Sequence, residues 1–209
     1  MNLRFSSHEL RDLTVAWVVL GVAFAIFFAG GGSRAVSMLL DQGVVGPLLV
    51  SLVTAGFGFL LHELAHKVVA VRFDQIAEFR ADYGMLFLAV MSALVGFLFA
   101  APGAVHHRGR LTAREHGLIA LAGPVTNGLL ALVFAPVYVA GLLAGSPLLS
   151  LLGARGVAIN LFLAAFNLVP FGGLDGRTVL DWSKGVFALT FLPAAAAAVF
   201  VVFVLGIGF

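Results

Sequence analysis

The 209-residue chain has no cysteine, so it contains no disulfide framework, no thiolate metal site and no cysteine nucleophile. Any metal it binds must be held by His, Asp or Glu. Charge is also scarce: 11% of residues are charged, against about 25% in an average soluble domain. The 12 Lys and Arg exceed the 10 Asp and Glu by only two. So small an excess forms no basic patch, which excludes a nucleic-acid binder, and the apolar content excludes a disordered tail protein. Long polar linkers and internal repeats are missing too, and the one low-complexity tract is Ala194–Ala198. What fills the chain is apolar: 61% of residues are hydrophobic, with a mean hydropathy of +1.10. Such a composition belongs in a lipid bilayer and excludes an ordinary cytosolic enzyme.

A helix needs about 20 apolar residues to cross a hydrocarbon core of about 30 Å. Six segments are candidates: 13–30, 47–72, 84–101, 117–144, 156–174 and 186–208. The first follows Arg4 and Arg11, as the apolar part of a signal peptide would. It is longer than such a segment and runs into Gly30-Gly31-Gly32 without an A-x-A cleavage site, so it reads as a retained span. The expected organisation is one integral membrane domain over 1–209, all-α and polytopic, with five to six transmembrane helices.

Positive residues near span ends collect on the cytoplasmic side. If all six segments cross, the 12 Lys and Arg divide evenly between the two sides and indicate no topology. If 84–101 dips in and returns, Arg4, Arg11, Lys67, Arg72, Arg80, Arg108, Arg110, Arg114, Arg177 and Lys184 share one face, leaving Arg34 and Arg155 on the other. The second arrangement is the one the charges prefer, with a cytoplasmic N-terminus. A re-entrant segment is tolerated only where it is buried in protein or lines a wet cavity, so 84–101 marks the neighbourhood of a site. One form is a helix going in and the extended stretch Ala100–Val105 coming back. Thr112 and Glu115 have capping-box spacing and mark the start of the 117–144 helix.

Within the second span lies His62-Glu63-Leu64-Ala65-His66-Lys67. Two His at i and i+4 stand about 40° apart on one helix face, so both can reach one metal ion, and Glu63 can face a metal-bound water. The competing account puts these residues at a helix end, with Lys67 snorkelling to the surface and pairing with Glu63. Against it, each ionisable group costs at least about 2.5–3.5 kcal/mol if charged at the bilayer centre, a cost that a metal or partners would offset. A catalytic zinc keeps three protein ligands, so a third is expected elsewhere. The candidate is Asp175, in Asn167-Leu168-Val169-Pro170-Phe171-Gly172-Gly173-Leu174-Asp175-Gly176, where Pro170 and the glycines break the fifth span. Asp175 could equally be the N-cap of the following helix. The ligand reading requires spans 47–72 and 156–174 to run in the same direction. That holds if 117–144 crosses and 84–101 does not, the topology the charges also choose.

These residues resemble the site-2 protease family of intramembrane zinc metalloproteases, in a minimal prokaryotic form without PDZ or CBS domains. The family's hallmarks are HExxH in one core helix, here His62–His66, and N-x-x-P-x-x-x-x-D-G in another, here Asn167–Gly176. Gly123-Pro124-Val125-Thr126-Asn127 resembles a looser family feature, and the resemblance covers about 47–180. It implies a three-helix catalytic core (47–72, 117–144, 156–180) with one zinc ion at the cytosolic ends. It also implies a membrane re-entrant element after the HExxH helix, often β-structured, with 13–30 and 186–208 as flanking helices.

The expected function is a zinc-dependent intramembrane endopeptidase in a prokaryotic plasma membrane, its active site toward the cytoplasm. It would cut the transmembrane segment of a single-span membrane protein. His62, His66 and Asp175 would hold the metal, and Glu63 would act as general base toward its bound water. Asn167 would hold the substrate strand or oxyanion, or else bond helix to helix. The lipid bilayer is an expected partner and nucleic acid is not. The alternative is a metal-binding transporter or sensor, or an inactive binder of transmembrane helices; a transporter would spread its polar residues along a pathway, whereas here they gather at one depth. His106, His107 and His116 read as a solvated loop, and Thr126, Asn127 and Asn160 as interhelical hydrogen bonders.

Overall fold

A computed structural model describes residues 3–208, except the side chains of Leu39 and Gln42. The protein is an all-α polytopic membrane protein with one small sheet. Its elements are α1 (Ser7–Phe28), α2 (Gly32–Gln42), α3 (Val45–Arg72), β1 (Ile76–Ala81), α4 (Tyr83–Leu94), β2 (Gly103–Arg108), α5 (Ala113–Leu143), α6 (Pro147–Asn167), α7 (Asp175–Trp182) and α8 (Lys184–Val204). Helices α1, α3, α5, α6 and α8 are long and apolar enough to cross a membrane.

The chain forms two compact units, one of Arg4–Leu60 and Glu78–His106, the other of Leu61–Ala77 and the segment from His107 onward. In the first, α1 packs on α4 around Ala23, Ala89 and Ala93, with Phe27, Val90 and Leu98 against them. The same helix meets the π-helical turn of α3 at Leu52–Gly56, where the Trp17 indole donates to the Leu52 carbonyl at 3.1 Å.

Segment 84–101 does not cross. Helix α4 has 12 residues, about 18 Å at 1.5 Å per residue, well short of a hydrocarbon core. The chain then reverses, with the Phe99 N–H donating to Ser92 Oγ at 3.0 Å. The two ends of the excursion are joined where the Asp82 N–H donates to the Pro102 carbonyl at 3.0 Å, next to the pairing of β1 with β2. The element therefore goes in as a helix and returns extended. The other edge of β1 is closed by α1: the Phe79 N–H donates to Glu9 at 3.0 Å and the Ala81 N–H to Asp12 at 3.2 Å. Tyr83 adds its hydroxyl to Asp12 at 2.7 Å, and Ser6 donates to Glu78. Glu9 and Asp12 are both buried.

In the second unit α5 opens with the expected capping box, Thr112 N–H to Glu115 Oε2 at 2.8 Å and Glu115 N–H to Thr112 Oγ1 at 3.3 Å. Helices α5 and α6 form an antiparallel hairpin that packs closely, since a Cβ at Gly153 would lie 2.2 Å from the Tyr138 backbone nitrogen. Helix α7 packs on α5 and α8 around Ala120, Leu168, Val179 and Trp182.

Two boundaries differ from expectation. The polar stretch 31–46 holds the amphipathic helix α2. The fifth span begins at Pro147 rather than 156, because Ser146 caps it (Leu149 N–H to Ser146 Oγ, 3.5 Å) and proline suits a first helical turn. Arg155, expected in a loop, therefore sits inside α6, half-buried. Lys67 is 1% exposed and among the largest fully buried side chains, which speaks against the competing account of a snorkelling lysine.

Candidate metal centre

His62 and His66 lie one turn apart in the second half of α3 and both are buried. Their rings meet edge to face at a centroid distance of 4.6 Å. Each has its Nδ1 tied to α5: His62 Nδ1 is 2.6 Å from Asn127 Oδ1, and His66 Nδ1 is 2.7 Å from the Ile119 carbonyl oxygen. The pairing of 66 with 119 and 62 with 127 shows that this part of α3 runs antiparallel to α5. Because α5 and α6 are also antiparallel, α3 and α6 share a direction, and the chain leaving α6 arrives at the histidines.

That chain delivers Asp175. It is the first residue of α7 and makes no capping bond with its side chain. The carboxylate instead turns inward, with Oδ2 3.2 Å from His62 Nε2 and 3.3 Å from His66 Nε2. Gly176 makes this placement possible, since a Cβ there would lie 2.0 Å from the Leu168 carbonyl oxygen. Burial opposes charge on Asp175, but in the metal-free site a protonated His66 beside it outweighs burial and holds the carboxyl down to about 2.

Three ligand atoms thus converge: the two Nε2 atoms are 2.9 Å apart and Asp175 Oδ2 closes the triangle. A carbonyl only accepts, so the Ile119 contact makes His66 Nδ1 the N–H, which leaves the lone pair of the neutral ring on Nε2. Asp175 Oδ2 is buried and has no hydrogen-bond donor. A proton or a metal ion among these electron pairs relieves their repulsion, and the three atoms could hold a metal. Zinc–ligand distances of about 2.0–2.2 Å around a tetrahedron give edges of about 3.3–3.6 Å, against 2.9, 3.2 and 3.3 Å here, so a small outward shift of the ligands would seat the ion, and the nitrogen–nitrogen–oxygen donor set suits it. A Cβ on Gly123 of α5 would lie 2.5 Å from both Nε2 atoms, so a glycine is what leaves room in front of them.

Glu63 is buried beside the first histidine, at 7% exposure. Asn167, the last residue of α6, donates from Nδ2 to the Leu163 carbonyl one turn back at 3.0 Å, a bond within its own helix. His107 and His116 face each other at a centroid distance of 5.4 Å, but among the described residues only His62, His66 and Asp175 form a group able to hold a metal. Gly123 and the direct contact of Asn127 with His62 were not expected from the sequence. The available signal was their spacing of four on one face of α5, in the stretch 123–127.

Among curated proteins the chain is 39% identical over 202 residues to the protein named "Putative zinc metalloprotease MJ0611" of Methanocaldococcus jannaschii, covering 96% of this chain and 97% of that one. The chain belongs to the site-2 protease-like zinc metalloproteases. A second relative, "Putative zinc metalloprotease YwhC" of Bacillus subtilis, is 32% identical to this metalloprotease over 151 residues, 65% of this chain and 68% of that one. No family model and no solved structure matches. This protein is accordingly a membrane-integrated protease whose metal is zinc.

Proposed function

We propose that this zinc metalloprotease is an intramembrane endopeptidase that cuts a single-span membrane protein within or next to its transmembrane helix. The supporting observation is the position of the metal group: His62 and His66 belong to Val45–Arg72, a 28-residue helix apolar enough to span a bilayer. His62, His66 and Asp175 are the zinc ligands of this reading. Zinc held there supplies Lewis acidity toward a peptide carbonyl and lowers the pKa of water toward about 7. Glu63 takes the proton of the attacking water and returns it to the leaving amine nitrogen. Asn167 keeps a second Nδ2 hydrogen beyond the one given to Leu163, and we assign that hydrogen to the substrate strand or the oxyanion. A transmembrane helix hides its peptide bonds in intrahelical hydrogen bonds, so the substrate must unwind locally before it is cut. The charge distribution supports a site toward the cytoplasm, and a prokaryotic plasma membrane is the location of this reading.

The test is zinc content of wild type, Glu63→Gln and Asp175→Ala in detergent, with cleavage of a generic single-span substrate. Wild type and Glu63→Gln should hold about one zinc, Asp175→Ala should lose it, and only wild type should cut. Equal cleavage by Glu63→Gln would remove the general-base role. Metal binding without cleavage by any form would favour a transporter, sensor or inactive binder.

A further inference from the structure

Behind His62 runs a chain of amide hydrogen bonds with no freedom in its direction. Asn160 of α6 donates from Nδ2 to the Gly156 carbonyl at 2.9 Å. A carbonyl cannot donate, so Asn160 must keep its NH2 there and present Oδ1 to its other neighbour. That neighbour is Asn127 of α5, which must then offer its own NH2, Nδ2 to Asn160 Oδ1 at 2.9 Å. Asn127 is left with Oδ1 toward His62 Nδ1, at 2.6 Å. Facing an acceptor, Nδ1 carries the hydrogen, and the lone pair of the neutral ring falls on Nε2, on the side of Asp175. Both asparagines are 0% exposed, so neither amide is open to bulk solvent. The orientation of each amide, and the tautomer of the histidine, follow from one backbone carbonyl two helices away.

We propose that Asn127 and Asn160 are positioning residues for the metal, a relay that fixes the tautomer and ring angle of His62 and thereby raises zinc affinity. This rests on the reading of His62 as a zinc ligand. A bond whose only task was to join α5 and α6 would not need an acceptor turned toward α3. Partners of this kind behind metal-bound imidazoles typically contribute about 10–100-fold in metal affinity.

The experiment uses the full chain in detergent, stripped of metal, with zinc affinity measured by competition against a chromogenic chelator and unfolding followed thermally in the metal-free state. Nitrogen-15 NMR of labelled histidine reports which ring nitrogen of His62 is protonated. Asn127→Leu should weaken zinc binding about 10–100-fold and reduce the Nδ1–H form. Asn160→Leu, which lets the Asn127 amide turn either end toward His62, should fall between it and wild type. Asn127→Asp separates the two roles: it keeps an acceptor for His62 Nδ1 but sets an oxygen against Asn160 Oδ1. It should bind zinc within about tenfold of wild type while its metal-free form melts lower. The proposal is overturned if Asn127→Leu binds zinc like wild type, or if Asp and Leu at 127 lose zinc equally and in step with melting. Should Asn127→Leu fail to fold, the other two variants decide. His62→Ala distinguishes the failures: if it keeps wild-type affinity, the ligand reading is wrong, and if it alone loses zinc, only the relay is.

Discussion

Gly123→Ala is the smallest change that should empty the metal centre. The added methyl carbon would stand 2.5 Å from His62 Nε2, His62 Cε1 and His66 Nε2, against the 3.4 Å at which ordinary contact begins, a shortfall of about 0.9 Å. The imidazoles have little room to retreat, because their Nδ1 atoms are held at 2.6 Å and 2.7 Å by α5 itself. Metal–ligand distances tolerate only about 0.2 Å, so two of three ligands are displaced well beyond usefulness. We expect zinc affinity to fall at least about 100-fold, with an overpacking cost to the fold of about 1–3 kcal/mol. The matched control is Gly128→Ala, five residues along the same helix, where a Cβ meets nothing within 4 Å. It should leave zinc binding unchanged and be neutral or stabilising by up to about 1 kcal/mol. Zinc content after dialysis, chelator competition and thermal unfolding in detergent measure all three quantities. Wild-type zinc affinity in Gly123→Ala would refute the placement of the ion in front of both Nε2 atoms.

Gly176→Ala should lower both unfolding temperature and zinc affinity, since its Cβ would sit 2.0 Å from a backbone carbonyl that cannot rotate away and Asp175 would move with it. Glu63→Gln should retain zinc and lose about 10²–10⁴-fold in cleavage rate, read as turnover at saturating substrate. Chelation should lower the melting temperature of wild type, because zinc at 100 times its dissociation constant stabilises by about 2.7 kcal/mol, and should leave that of Asp175→Ala unmoved. Asp12→Ala should destabilise the unit containing α1 and β1 by about 1–3 kcal/mol, as the Ala81 N–H and Tyr83 hydroxyl lose their acceptor. Thermal melts and limited proteolysis of the wild type and variant check this.

The histidines were legible because their geometry is local: four residues along a helix is one turn, whatever the rest of the chain does. Asp175 was legible as a candidate, while the choice between ligand and helix cap depended on where α7 docks, which Gly176, Leu168 and Val179 decide through tertiary packing. The roles of Gly123, Asn127 and Asn160 were not legible, since each is defined by a neighbour on another helix. Asn127 and Asn160 do bond helix to helix, as expected, but nothing local shows that the other end of Asn127 meets His62. The re-entrant element was readable from charge balance, because a segment that crosses and one that returns leave Arg and Lys on different sides. The early start of α6 was hidden by Arg155, which reads as a loop residue until its burial in the helix is known.

The seal that α1 places on β1 sets an order of assembly. Glu9 and Asp12 are synthesised 70 and 69 positions ahead of the strand residues whose N–H groups they accept, an interval of about 4–14 s at cellular translation rates. Until residues 79 and 81 emerge, neither carboxylate has those strand donors, and a charged carboxylate deep in hydrocarbon is too costly to bury. Until β1 is made, Glu9 and Asp12 must find other partners for the positions that the Phe79 and Ala81 N–H groups occupy in the folded unit. The final hydrogen bonding of this unit is thus tied to the re-entrant hairpin, and a chain truncated before residue 79 would lack the strand donors that Glu9 and Asp12 accept.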